Sequence, residues 1–366
     1  MLKHSFVPML ELTRGEIVES VHYGAVAVVE TGGRLVASVG DPQIVTYLRS
    51  SAKPFQVMPF LAHGGQAAYG LSLAEIALMC ASHSGTDEHL AAVQGLQAKT
   101  GVRESDLLCG VHPPYHPETA EAMRRRGEQP TPNRHNCSGK HTGMVAYTRL
   151  LGLYDDPQAA SLTYINPAHP IQQDILHAFA AMCDLPAEAV PIGIDGCSAP
   201  NFAAPLYNAA LGFARLVDPS GLDDRQAELC RTITSAMTTY PNMVGGPDSF
   251  DTHLMLAAQG RILVKQGAEG FLAIGVLPGV IAPGSRGLGI AIKIADGDLG
   301  AHSRAPGEGG GHARPAVAIE ILRQLAAIGP HELSALASFG PTFDLHNWRS
   351  LHVGQARPCF TLEFAR

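Results

Sequence analysis

The chain reads as an α/β (α+β) protein in which both chain ends build one antiparallel sheet and a helical domain is inserted between them. Three observations lead there. β-patterned segments fill the first fifty residues, helical patterning runs from Ser50 to about Gly260, and β patterning returns after Gly260. The expected division is a sheet subdomain from residues 1–49 and 260–366 and a mainly helical subdomain from residues 50–259. At 366 residues, with 46% hydrophobic and 16% charged side chains, there is material for a large core and two subdomains.

Each element has a local reason. "VHYGAVAVVE" and "RLVASVG" flank Thr31-Gly32-Gly33, a hairpin turn signal, and Gly40-Asp41-Pro42 marks a second turn. Pro54 is tolerated only in a first helical turn, so a helix starts near Ser50 or Ser51. Ser72 and Glu75 form a capping box ahead of "IALMCA". Thr86 caps "DEHLAAVQGLQAKT", and Gly101 suits the left-handed position that ends it. Further helices are predicted at "PIQQDILHAFAAMC", "DRQAELCRTITSAMTTY" and "DSFDTHLMLAAQ". Strands follow at "RILVKQ", "FLAIGVL" and "LGIAIKIADGD", then a helix at "RPAVAIEILRQLAAIG". The segment "HSRAPGEGGGHARP", residues 302–315, reads as a flexible loop.

Composition excludes several classes of function. A net charge of -7 argues against nucleic acid as a partner, because phosphate binding needs a basic face. The one basic run, Arg124-Arg125-Arg126, lies beside Glu118, Glu121 and Glu128 and reads as a solvated helix face. No window approaches the roughly 20 apolar residues that span a bilayer. The first residues, "MLKHSFVPMLELTRGE", are interrupted by Pro8 and Glu11 and do not read as a secretory segment. Seven widely spaced cysteines then lead to the expectation of a reducing, cytoplasmic setting with free or metal-bound thiols.

Chemistry first shows in "TYLRSSAKPFQVMPFL". Lys53 stands at a helix start among apolar residues, three positions after Ser50. On a helix the two share a face and can hydrogen-bond. Burial disfavours the charged ammonium, a neutral amine is a base, and a serine beside it is a nucleophile. This Ser-x-x-Lys arrangement serves acyl-transfer enzymes such as penicillin-binding proteins and class A β-lactamases. The tetrad alone fits an N-capping serine with a snorkelling lysine too; the apolar flanks and the strand-to-helix junction add weight to the catalytic pair. Such a site needs a second serine and a second lysine. Ser82, in "CASHSG" at a helix end, and Lys265, on the strand "RILVKQ", are the candidates. Lys99-Thr100-Gly101 comes too early in the chain, and Tyr164-Ile165-Asn166 falls in the wrong order, so both are set aside.

"NRHNCSGKHTG" and "GIDGCSAPN" are the densest reactive stretches. A phosphate-loop reading fails, since Arg134 stands where glycine is required and His141 follows the lysine. Cys137 could be a nucleophile with His141 one turn on, or Cys137 and Cys197 could bind a borderline-soft metal ion. Small buried cysteines in glycine-rich turns are the plain alternative.

Six stretches taken in order, "LRSSAKPFQ", "CASHSGTDEH", "NCSGKHTGM", "GIDGCSAPNF", "FDTHLML" and "VKQGAEG", resemble the thermolabile L-asparaginase II family, the rhizobial-type or class 3 asparaginases. The resemblance implies a serine β-lactamase-like fold, a homodimer, and hydrolysis of L-asparagine to L-aspartate and ammonia. It implies Ser50 with Lys53 as one catalytic pair and Ser82 with Lys265 as the second. It implies zinc on Cys137, Lys140 and Cys197, with water completing the shell and His141 and Asp195 alongside, contacting substrate or supporting the ligands. Arg49 is an expected anchor for the substrate carboxylate. Against this stand a penicillin-recognising serine hydrolase, a cysteine-nucleophile amidohydrolase built on Cys137, and a non-enzymatic zinc-binding protein.

Overall fold

Strand Ile17–Glu30 organises the sheet in the computed structural model, which describes residues 6–155, 162–298 and 312–365. Two compact units form. One comprises Met1–Leu48, Ala204–Gly221 and His253–Arg366, the other Arg49–Ala203 and Leu222–Thr252.

The first unit is built on an antiparallel sheet, nine-stranded among the described residues. Its order runs Phe343–His346, His352–Pro358, Val7–Arg14, Ile17–Glu30, Leu288–Ile294, Phe271–Val276, Ile262–Gln266. Strand Leu35–Val39 also lies on Ile17–Glu30 and pairs in turn with Glu363–Phe364. Both chain ends therefore contribute strands, as the sequence predicts. The hairpin at Thr31-Gly32-Gly33 is present: Val26 pairs with Val39 and Val28 with Ala37. Gly33 supplies the positive φ, +87°, that this turn requires.

Ala25 to Val29 are all fully buried, so this strand is covered on both faces and shows no polar alternation. Helix Leu206–Val217 packs on the sheet where Gly275 and Gly289 face each other across paired strands. A methyl on Gly289 would stand 1.7 Å from the Ala210 carbonyl oxygen, which shows how closely the backbones approach. Helix Ala313–Gln324 begins at the Asp298 carboxylate, which accepts from the Ala313 and Arg314 N–H groups at 2.9 and 3.1 Å. Of the loop expected over residues 302–315, residues 302–311 lie outside the described residues. Ala313, Arg314 and Pro315 already belong to the helix, proline being tolerated in a first turn.

The second unit is helical. Helix Lys53–Ala62 packs against Ser138–Leu150, Pro170–Met182 and Asp224–Thr239. The predicted capping box at Ser72 and N-cap at Thr86 start helices Leu73–Met79 and Asp87–Thr100, and Gly101 takes the left-handed conformation at the end of the latter. Helices Ser138–Leu150 and Leu73–Met79 meet through Gly139 and Gly143, one turn apart. A Cβ at Gly139 would lie 2.3 Å from the Leu78 carbonyl oxygen, and one at Gly143 2.3 Å from Met79 Cε. Two missing side chains thus bring the segment after Cys137 against the helix that leads into Ser82. Among the described residues no helix is long and apolar enough to cross a membrane.

Candidate active site

The chain enters the second unit through a short 3-10 turn, Arg49–Ala52, and Lys53 opens the α-helix with Pro54 behind it. Arg49 adopts a positive φ of 52°, uncommon for a residue with a side chain. Its N–H donates to Asn201 Oδ1 at 3.1 Å. Lys53 is 1% exposed. Its Nζ donates to Ser82 Oγ at 2.9 Å and to the Ala81 carbonyl. Ser82 lies two residues past the C-cap Cys80 and is tied down by its own N–H, which donates to the Val244 carbonyl at 2.9 Å. Ser50 is half-buried, and among the described residues no hydrogen bond joins it to Lys53. Ser50, Lys53 and Ser82 are thus three polar residues in one unit, with the lysine bonded to the second serine.

Cys137 immediately precedes helix Ser138–Leu150, which carries Lys140 and His141 in its first turn. Cys197 sits in the tight Asp195–Ser198 turn, where the Ser198 N–H bonds back to the Asp195 carbonyl. Strands Ile192–Ile194 and Pro200–Pro205 hold that turn as a hairpin. Cys137 and Cys197 act on each other's ionisation, and Lys53 acts on that of Cys137. Lys140 Nζ contacts Cys197 Sγ at 2.9 Å.

These contacts decide the charges. Cys197, against burial, holds the Cys137 thiol well below its ordinary value, with Lys53 and Lys140 adding to the effect; Cys137 and burial push Cys197 up. Burial opposes the Lys140 charge, but Cys197, Cys137 and Asp195 together outweigh it and raise the amine above its usual value. Burial likewise opposes ionisation of Asp195, yet Lys140, Arg49 and the Gly196 N–H hold its carboxyl below the usual range. Arg49 grips Asp195 Oδ1 at 2.8–2.9 Å.

His141 is fully buried, with Nδ1 2.7 Å from the Tyr164 hydroxyl and Nε2 without a hydrogen bond. Burial, then the Lys140 charge, pushes its pKa down to about 4. Among the described residues no group of three His, Cys, Asp or Glu could hold a metal ion. A metal site here therefore depends on Lys140 as third donor beside the two sulfurs. Lys140 Nζ and Cys197 Sγ lie at 2.9 Å, and two sulfurs with an amine are donors that suit a borderline-soft ion such as zinc, provided the amine gives up its proton.

Lys265 belongs to the other unit, on strand Ile262–Gln266. It is fully buried and donates to the Gln266 carbonyl at 2.8 Å. Two residues in contact with this region escaped sequence reasoning. Tyr164 looked like a misplaced motif. His83, beside Ser82, bonds through its backbone N–H to the Asn136 carbonyl at 3.2 Å and through Nε2 to Ser138 Oγ at 2.9 Å. Its adjacency to Ser82 was the one available signal.

The profile of the L-asparaginase II family matches residues 10–358. The chain belongs to that family. As an L-asparaginase II family member it is an amidohydrolase acting on amides, and all six motifs noted in the sequence fall inside the matched span. Two solved structures are similar at low identity. One is a probable glutaminase from Bacillus subtilis complexed with 6-diazo-5-oxo-L-norleucine, 14% identical over 83% of this chain and 84% of that one, TM-score 0.36. The other is a Bacillus glutaminase in the presence of 4.3 M NaCl, 14% identical over 83% and 91%, TM-score 0.36. No curated protein matches the chain.

Proposed function

We propose that this L-asparaginase II family protein hydrolyses L-asparagine to L-aspartate and ammonia through an ester on Ser50. The observation that carries this is the buried Lys53 amine bonded to Ser82 Oγ, three residues along the chain from Ser50. Lys53 accepts the Ser50 proton as Ser50 Oγ attacks the side-chain amide carbon. The C–N bond then breaks, and the nitrogen leaves as ammonia with a proton delivered along Ser82 and Lys53. Water attacks the aspartyl ester, gives its proton back to Lys53, and Ser50 is regenerated. The Ser50 N–H is one oxyanion donor. Lys265 is assigned to the second serine–lysine pair on its motif.

Arg49 and Asp195 suit the two charged ends of an amino acid substrate, carboxylate and ammonium, and already hold each other at 2.8–2.9 Å. Cys137, Lys140 and Cys197 would hold zinc, which when bound supplies positive potential and fixes those side chains beside Lys53. The same reading makes the working form a cytoplasmic homodimer.

The test is ammonia release from L-asparagine and L-glutamine by the wild type and by Ser50→Ala. Release from asparagine that falls by about 10⁴-fold or more in the variant is expected, the scale seen when a nucleophile is removed. Release from glutamine alone would reassign the substrate. Activity that survives in Ser50→Ala would move the nucleophile to Ser82 or Cys137.

A further inference from the structure

Arg49 stands in the left-handed region, at a positive φ of 52°, where a side chain crowds its own backbone. A residue stays there only when its surroundings hold it. Two contacts contribute. The Arg49 N–H donates to Asn201 Oδ1 at 3.1 Å, and the guanidinium reaches Asp195 Oδ1 at 2.8–2.9 Å. Of the two amide atoms of an asparagine only the oxygen accepts, so the N–H fixes which way the Asn201 amide faces.

Both holds come from one hairpin. Asn201 lies on strand Pro200–Pro205 opposite Gly193, is 5% exposed, and follows the turn that carries Asp195. That turn is closed by the Asp195 N–H, which donates to the Ala199 carbonyl at 2.9 Å. The hairpin therefore grips residue 49 by backbone and side chain at once. The two grips differ in what they set. Asp195 fixes where the guanidinium lies, and a flexible stem separates that group from the chain. Asn201 acts on the main chain itself, one peptide before Ser50. The dihedral angles of residue 49 aim the peptide that carries the Ser50 N–H, and with it the Ser50 side chain.

We propose that Asn201 is a positioning residue whose amide oxygen keeps residue 49 left-handed and so aims the Ser50 N–H and hydroxyl for attack. This rests on the reading of Ser50 as the nucleophile.

The experiment measures the rate at which a small aryl sulfonyl fluoride modifies Ser50 in the full-length protein, with the site located by peptide mass spectrometry. The reagent has no carboxylate, so it needs no anchor at Arg49. Asn201→Leu keeps the size and removes the acceptor. It should slow modification of Ser50 by about 10²-fold, the scale of a misplaced reacting group. In Arg49→Gly the same substitution should change the rate far less, because glycine takes a positive φ unaided. Asparagine hydrolysis should follow the labelling. Asn201→Leu should lower kcat and leave KM near the wild-type value, since Asp195 still holds the guanidinium. An unchanged rate in Asn201→Leu, equal slowing in both backgrounds, or a loss confined to KM overturns the proposal. A wild-type crystal structure with residue 49 at negative φ overturns it whether or not the variant folds. Label on Ser82 or Cys137 with none on Ser50 is a separate failure: it sinks the Ser50 reading, and the proposal falls with it.

Discussion

Lys53 carries the proposed chemistry at the scale of single residues, because its buried amine has Ser82 Oγ and the Ala81 carbonyl as acceptors. Lys53→Met keeps the length and apolar stem while removing every proton-transfer function. The expected result is a fall in kcat of about 10²–10⁴-fold, the range for loss of a general base. Steady-state kinetics checks it, and an unchanged kcat would remove Lys53 from the mechanism. His83 and His89 make a second prediction. Their rings stack with centroids 4.9 Å apart, and burial, the largest cause for each, holds both below the ordinary value of 6.5. The unfolded chain therefore binds protons that the folded one refuses as pH drops below 6.5, so stability present above that pH is lost on acidification. Thermal midpoints across pH 5 to 8 should fall on the acid side, and His83→Gln should flatten that slope. Ser50 and Lys53 were legible because Pro54 marks a helix start and apolar neighbours surround an ammonium. The bond from Lys53 to Ser82 was not, since the two are 29 positions apart and only folding sets their distance. Tyr164 was set aside for the order of its letters, whereas its contacts reach Leu108, His141 and Gln172.

Elements are seated by glycines, and these make predictions of opposite sign. A Cβ at Gly289 would collide with the backbone of helix Leu206–Val217, at 1.7 Å from Ala210 O and 2.6 Å from Ala214 N. Gly289→Ala should destabilise by about 1–3 kcal/mol or more, the cost of overpacking against atoms that cannot swing aside. Gly95 is exposed inside helix Asp87–Thr100 with nothing within 4 Å of its absent Cβ. Gly95→Ala should stabilise by about 0.5–1 kcal/mol by raising helix propensity. Denaturant midpoints at unchanged slope measure both, and equal effects would mean that helix Leu206–Val217 is not seated as described. Helices with capping signals were legible, Ser72 and Thr86 being the clearest. Helix Ser138–Leu150 was not predicted, for a physical reason. Ser138 to Thr148 are buried on every side, so no polar stripe marks a solvent face. Of strand Ile17–Glu30, residues 21–30 were legible from their β pattern and the glycine turn that follows.

The whole molecule joins an antiparallel sheet made from both chain ends to a helical unit that holds Arg49, Ser50, Lys53, Ser82, Cys137, Lys140 and Cys197. The order of β and helical patterning made that class readable, since strands from opposite chain ends pair in one sheet. The net charge of -7 fits a small-molecule amide better than a polyanion. In the proposed mechanism the amide is cleaved through a serine ester, with the thiols of the same unit left out of bond making. An electrophilic diazoketone analogue of L-asparagine tests this most directly, because it forms a stable bond to whichever side chain attacks. After incubation, peptide mass spectrometry would locate the adduct. A single adduct on Ser50, absent from Ser50→Ala, is the predicted result; an adduct on Cys137 in the wild type would contradict the account.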